Sequence, residues 1–345
     1  MTTTVRPCPL PLSNFPHILR SIVDHADRNT TVTLLRTSYQ LFNICGPRLY
    51  REVYLDPNTL RGVFHGWDDE RRSSTSKRSL LKHIKIVSVT QHNQDDCFPL
   101  AAVVASLISP DVVRVVCPIL GLDLDHIHMC GDDVCGVLPN IDTKKVVFRN
   151  VDNSQGFGLY GAWNAPRLEE VVYILPRDDR VAYRENHLED EIEEHWQGVP
   201  KLKLVFGEYE KPAPWGLDPS FSPGENFEDE WSDLLDRRDL IDFLESAMDP
   251  NRTLEVCGVD TIPFMIDGQL RFLDEKEVKE VEAQVRLEAA EDSKGKAELV
   301  FKTLQEYCDG DTYGEVTREE KDRWLQNVTR HEAEADAGTA GMDVD

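Results

Sequence analysis

The sequence predicts an α/β fold: a small helical head, then a long body in which strand-like runs alternate with helical ones, then charged helices. Three observations carry this prediction. Apolar residues in the first 56 positions recur at three- and four-residue steps. Six apolar or β-branched runs follow, each bounded by polar or proline-containing stretches, and the residues between them return to the helical period. With 345 residues, 40% of them hydrophobic, the chain has length for about two domains and apolar mass for a real core.

The head spans residues 8–56. Leu10, Leu12, Phe15, Ile18, Leu19, Ile22 and Val23 form the first helical pattern; Val32, Leu34, Leu35, Tyr39, Phe42 and Ile44 form the next, which Gly46-Pro47 is expected to stop. Charge separates head from body. Residues 1–56 hold six arginines against four acids, +2 in all, so the rest of a chain with a formal charge of −25 carries −27. A basic head on an acidic body suits an acidic partner for the head. About 50 residues make a marginal core, so part of this apolar surface lies against the body or a partner.

Leu10-Pro11 followed by Ile18, with the stretch from Leu34 to Asp56 that closes on Gly46-Pro47-Arg48-Leu49-Tyr50-Arg51-Glu52-Val53, resembles an F-box-like segment of the kind that opens many fungal interaction proteins. The likeness covers about 47 residues, a seventh of the chain. It implies that the head docks on an acidic Skp-type adaptor of a cullin-RING (SCF-type) ubiquitin ligase, with Leu10, Pro11, Ile18, Leu34 and Leu35 at the adaptor surface. It further implies that the body selects a protein substrate, that ubiquitin transfer is catalysed elsewhere, and that this chain is no enzyme. The other reading of the same helices is a cap on the first strand of the body, apolar face inwards.

The body spans residues 57–275. After a polar insert, Asp68 to Lys77, strands are expected at His83 to Thr90, Val112 to Ile119, Lys144 to Val151, Leu168 to Leu175, Lys201 to Tyr209 and Thr253 to Val259. Helices are expected at Phe98 to Ser109, Asp125 to Gly136, Arg184 to Trp196 and Glu228 to Met248. The strand starts are mostly 24 to 33 residues apart, near the strand-plus-helix period of leucine-rich repeats, so the body reads as a degenerate leucine-rich-repeat-like array. A 52-residue gap is explained by an insertion loop at 211–230, in which Trp215 and Phe221 either anchor a partner or fold back on the array. A doubly wound enzyme sheet gives the same alternation, but no G-x-G-x-x-G, G-x-x-x-x-G-K-[ST] or G-x-S-x-G motif accompanies a strand.

Candidate chemistry is sparse. His126, His128, Cys130 and Cys135 carry ligand types that suit zinc, but four ligands within ten residues would have to wrap a single turn. Asp123 and Asp125 form a D-x-D that chance supplies easily among 63 acids. The segment Asp309 to Glu320, DGDTYGEVTREE, resembles a single EF-hand loop, which implies Asp309, Asp311 and Glu320 as ligands for calcium, with Tyr313 where an oxygen ligand is expected. Ordinary helix punctuation explains the same residues: Gly310 and Gly314 end one helix, and Thr317 with Glu320 opens the next as a capping box. No cofactor other than calcium is implied.

Residues 276–330 read as charged helices and 331–345 as a disordered acidic tail. The acidic balance disfavours nucleic acid and anionic membranes as partners. No apolar run reaches about 18 residues and the first residues lack the apolar core of a secretory signal, so the expected location is cytoplasmic, nuclear or both. The eight cysteines, with no C-x-x-C pair, then read as reduced, small buried hydrophobes. The functional expectation is a substrate-receptor-like subunit, monomeric outside its complex; the alternatives are a non-catalytic repeat scaffold without ligase assembly and, less well supported, a calcium-responsive protein.

Overall fold

Eight parallel strands form one sheet in which order along the chain is order in space. In the computed structural model the described residues are 15–56, 59–65, 76–90, 98–116, 137–149, 165–175, 196, 198–207, 237–266, 269–291 and 297–326. Three helices come first: α1 (Pro16–His25), α2 (Arg28–Leu35) and α3 (Tyr39–Leu49). Each start has a local cause. Pro16 occupies the beginning of α1, where a missing N–H costs nothing. The Asp27 carboxylate accepts from the Thr30 amide at 2.8 Å to cap α2, and Ser38 Oγ accepts from the Leu41 amide at 3.2 Å to cap α3.

The body continues with β1 (Glu52–Leu55), α4 (Leu60–Phe64), α5 (Lys77–Leu81), β2 (Ile86–Val89), α6 (Ala101–Leu107), β3 (Val112–Val116), β4 (Lys145–Arg149), β5 (Glu170–Leu175) and β6 (Lys201–Phe206). Then come α7 (Arg237–Ser246), β7 (Thr253–Cys257), the hairpin β8 (Pro263–Ile266) and β9 (Gln269–Phe272), α8 (Glu275–Glu291), β10 (Glu298–Lys302) and α9 (Leu304–Asp309). Residues 318–326 form a last helix. The sheet runs β1-β2-β3-β4-β5-β6-β7-β10, every pair parallel, and the antiparallel hairpin stands apart from it.

Each step from one strand to the next moves in the same direction, so the sheet has no reversal of strand order. A doubly wound sheet needs such a reversal and places its ligand crevice there. The helices tell the same story. Leu60 and Phe64 of α4, Leu81 of α5, Val104 and Leu107 of α6, Leu240 and Leu244 of α7, and Val281 and Val285 of α8 share one buried cluster with Val87, Val113, Phe148, Tyr173, Leu204 and Val256 of the sheet. All five helices therefore cover one face. Strands such as VVRVV and EVVYIL are buried on both sides, as parallel strands require, and the second face needs its own cover.

All six expected strands form, trimmed at their ends. The helix expected at Phe98 to Ser109 forms as a short 3-10 turn followed by α6, and the described part of Glu228 to Met248 is α7. Two expectations need correction. Gly46-Pro47 lies inside α3 rather than ending it: in the last turn the missing Pro47 amide deprives only the carbonyl of exposed Asn43 of a bond. Gly46 packs closely there: a Cβ would come within 2.9 Å of a terminal methyl of Leu80, where the first three helices meet the body. Residues beyond Lys276, expected as helices, include β10, which extends the sheet past β7. The zinc-like string 126–135, the D-x-D at 123–125, the helix expected at Asp125 to Gly136, the insertion loop 211–230, the tail 331–345 and all but the last residue of the helix expected at Arg184 to Trp196 lie outside the described residues.

Candidate functional site

The second face of the sheet is read most simply in rows across the parallel strands. One row is Glu52, Ile86, Val112, Lys145, Glu170, Lys201, Thr253 and Glu298; the next is Tyr54, Ser88, Arg114, Val147, Val172, Lys203, Glu255 and Val300. A third holds Arg149, Ile174, Val205, Cys257 and Lys302. In-register neighbours stand about 4.8 Å apart, so the alternation Lys145, Glu170, Lys201 puts opposite charges side by side.

The cover is the chain's own segment 304–325. Leu304, Tyr307 and Cys308 of α9, Val316 and Trp324 form one buried cluster with Ile86, Val112, Val147, Val172, Ile174, Val205 and Cys257. Two glycines allow the approach. Gly207, just past β6, has the Trp324 ring where a Cβ would sit, 2.7 Å away. Gly314 holds a left-handed φ of 75°, and a Cβ there would meet the Val112 side chain at 2.7 Å.

Polar groups seal the same contact. Glu315 is completely buried, and its carboxylate accepts from Lys145 at 2.5 Å, from Lys203 at 3.0 and 3.2 Å and from the Tyr307 hydroxyl at 2.9 Å. Arg114 donates to the Gly314 carbonyl and to Glu52, each at 2.5 Å, and Arg149 pairs with Glu320. Glu170 takes Lys145, Lys201 and Lys203 at 2.7, 3.1 and 3.3 Å, while Glu255 takes Lys201 at 2.9 Å and Lys302 at 3.1 Å. These pairs join six cations of the sheet to three of its own carboxylates and two supplied by the segment. The face is basic, and the segment brings it acid.

The local fields follow. Burial by itself would raise the Glu170 carboxyl, but Lys203, Lys145 and Lys201 hold it down at about 2. Burial likewise works against ionisation of Glu320, and Arg149 overcomes it, leaving the group below its ordinary value. Lys203 loses solvation yet stays above its ordinary value because Glu315 and Glu170 face it. Burial pushes the Cys308 thiol up to about 11, and burial and Glu255 raise Cys257, so neither is a thiolate at neutral pH. Cys45, Cys257 and Cys308 are free and buried.

The EF-hand-like residues do not converge. Glu320 accepts from the Thr317 amide at 2.6 Å while Thr317 Oγ1 accepts from the Glu320 amide at 3.2 Å, which is the capping box. Asp309 takes Gln305, and Asp311 takes the Tyr313 amide at 3.0 Å. Among the described residues no cluster of three or more metal-ligating side chains exists, and Glu315, at the position after the turn glycine, points into the lysines.

On the head, Leu10 and Pro11 lie outside the described residues. Ile18 is exposed at 39% and Leu34 and Leu35 are half-buried. Leu19 and Val23 point inwards from α1, and Ile22, 45% exposed, extends the outward stripe that begins at Ile18. Ile22 carried the same period in the sequence; nothing there separated its face from that of Leu19. Lys145, Lys203 and Glu315 carried no signal as a unit, because each looks solvated in its own segment.

No family model, curated protein or solved structure matches the chain. Among the described residues no helix is long and apolar enough to cross a membrane.

Proposed function

We propose that this chain is a substrate-receptor-like subunit of an SCF-type ubiquitin ligase, its F-box-like head engaging a Skp-type adaptor and its leucine-rich-repeat-like body presenting a protein substrate. The observation that carries the reading is the apolar stripe left open on the head: Ile18 and Ile22 face outwards one turn apart, beside half-buried Leu34 and Leu35, on a basic three-helix unit. A body whose strands follow one another without reversal, with helices α4 to α8 on one side of the sheet, agrees with a repeat array. In this reading the chain is no enzyme; it holds two proteins together in the cytoplasm or nucleus.

The covered sheet face refines the proposal. Repeat arrays usually bind partners on the exposed strand face, and here residues 304–325 fill it. In this reading the client surface lies on the flanks of the body rather than on the strand face. The second reading is a scaffold whose first three helices only cap the body and which engages partners without any ligase.

Co-expression with a Skp-type adaptor followed by gel filtration tests the first reading. The native chain is expected to co-elute, and an Ile18→Asp/Leu35→Asp variant to separate while keeping its unfolding midpoint. Absence of any co-elution by the native chain favours the scaffold.

A further inference from the structure

In a chain of formal charge −25, three arginines line one cleft of about 350 Å³ at the joint between head and sheet. Arg28 comes from the first turn of α2, Arg48 from the last turn of α3, and Arg51 from the residue before β1. The one carboxylate on the lining, Glu52, is already taken, accepting from Arg114 at 2.5 Å and from the Tyr54 hydroxyl at 3.1 Å. Arg48 reaches Asp24 only at 3.8 Å across solvent, a weak pair, and donates to the Ala26 carbonyl at 3.3 Å. Among the described residues no carboxylate lies within 4.0 Å of Arg28 or Arg51. Arg51 is steadied instead over the Tyr313 ring, 5.7 Å from its centre.

Three like charges around one concavity repel each other, and among the described residues the carboxylate that pairs with them is Asp24, at 3.8 Å from Arg48. An oxyanion entering the cleft relieves that repulsion and finds planar forks suited to two-point hydrogen bonding. Tyr54, 47% exposed, adds an apolar wall beside the charges. A nucleic-acid backbone meets the cleft equally well, but the acidic body around it repels a long polyanion, whereas a peptide brings one or two charges with an apolar neighbour.

We infer that this cleft binds an anionic side chain, a carboxylate or a phosphoryl group, carried on an extended segment of another protein. The inference goes beyond the adaptor reading and stands without it. Fluorescence anisotropy of the full chain with three labelled peptides, identical except for a central Ser, Glu or phosphoserine, tests it. At low salt the Glu or phosphoserine peptide is expected to bind at least about tenfold more tightly than the Ser peptide, the better of the two naming the oxyanion, and added salt weakens it. Arg28→Gln/Arg51→Gln is expected to reduce binding to the level of the Ser peptide; should that variant unfold, Arg28→Gln alone, whose side chain is exposed, is expected to weaken it in the same direction. An Ile18→Asp head is expected to retain peptide binding. Equal affinity for all three peptides, no binding by any, or arginine variants that bind like the native chain overturns the inference.

Discussion

The Lys203 ammonium donates to both carboxylate oxygens of Glu315, at 3.0 and 3.2 Å, although 112 residues separate them along the chain. Lys203 belongs to the sixth strand, and Glu315 to a loop that reaches the sheet only after the last strand is laid down. Glu315 has no exposed surface, and removing either partner leaves the buried network they share with Lys145 and Glu170 with one charge too few on one side. Glu315→Ala is expected to lower the unfolding free energy by about 3–5 kcal/mol, measured by urea denaturation. Replacing both by apolar residues, Lys203→Met with Glu315→Leu, is expected to cost less than either single change, because no uncompensated charge remains. A double variant worse than both singles disproves the coupling.

Gly314 tests the backbone side of the same contact. Its φ of 75° disfavours any side chain, and Val112 fills the space where a Cβ would go. Gly314→Ala is therefore expected to cost at least about 2 kcal/mol, with the loss read as an earlier thermal midpoint. Trp324→Ala, which empties the site over Gly207, is expected to cost about 3–5 kcal/mol.

How much of this was legible in the sequence depends on the range of the interaction. Strands β2 to β7 announced themselves because runs such as VVRVV and KVVFR admit few other structures. β10, ELVFK, is short, sits between charged stretches, and is a strand because β7 offers it an edge. The strand order that separates a singly wound sheet from a doubly wound one is a tertiary fact with no local trace. The capping box at Thr317 and Glu320 was readable from spacing, but the union of Lys145, Lys203 and Glu315 was not. Lysines alternating with leucines in KLKL read as a solvated strand face, and only the return of the chain across that face buries Lys203.

Calcium offers a separate check on the 309–320 segment. Its carboxylates are directed to Gln305, to the Tyr313 amide and to Arg149 rather than to one point. Isothermal titration with calcium to millimolar concentration is expected to give no saturable heat and no change in helicity. Saturable binding lost in Asp309→Asn/Asp311→Asn would show that the segment leaves the sheet to take the ion.

The pH dependence of stability follows from the same ion pairs. The Glu170 carboxyl sits at about 2 in the folded chain against an ordinary 4.5, and Glu255 and Glu320 are displaced in the same direction. A folded value below the unfolded one means that the unfolded chain takes up the proton first as the solution is acidified. The contribution of Glu170 is thus complete above pH 4.5 and drains away as pH falls towards 2. Lys203, raised above 10.5, behaves oppositely: its contribution is complete below 10.5 and fades only on the alkaline side. Unfolding free energy is therefore expected to fall between pH 4.5 and 2, and the fall to be shallower in Glu170→Gln than in the native chain. Because Glu170 touches three lysines while its own row faces the buried segment, the acid transition of the native chain is also expected to release Trp324 to solvent, seen as a red shift of tryptophan emission. An acid-induced loss of stability that is identical in Glu170→Gln removes this carboxylate from the account.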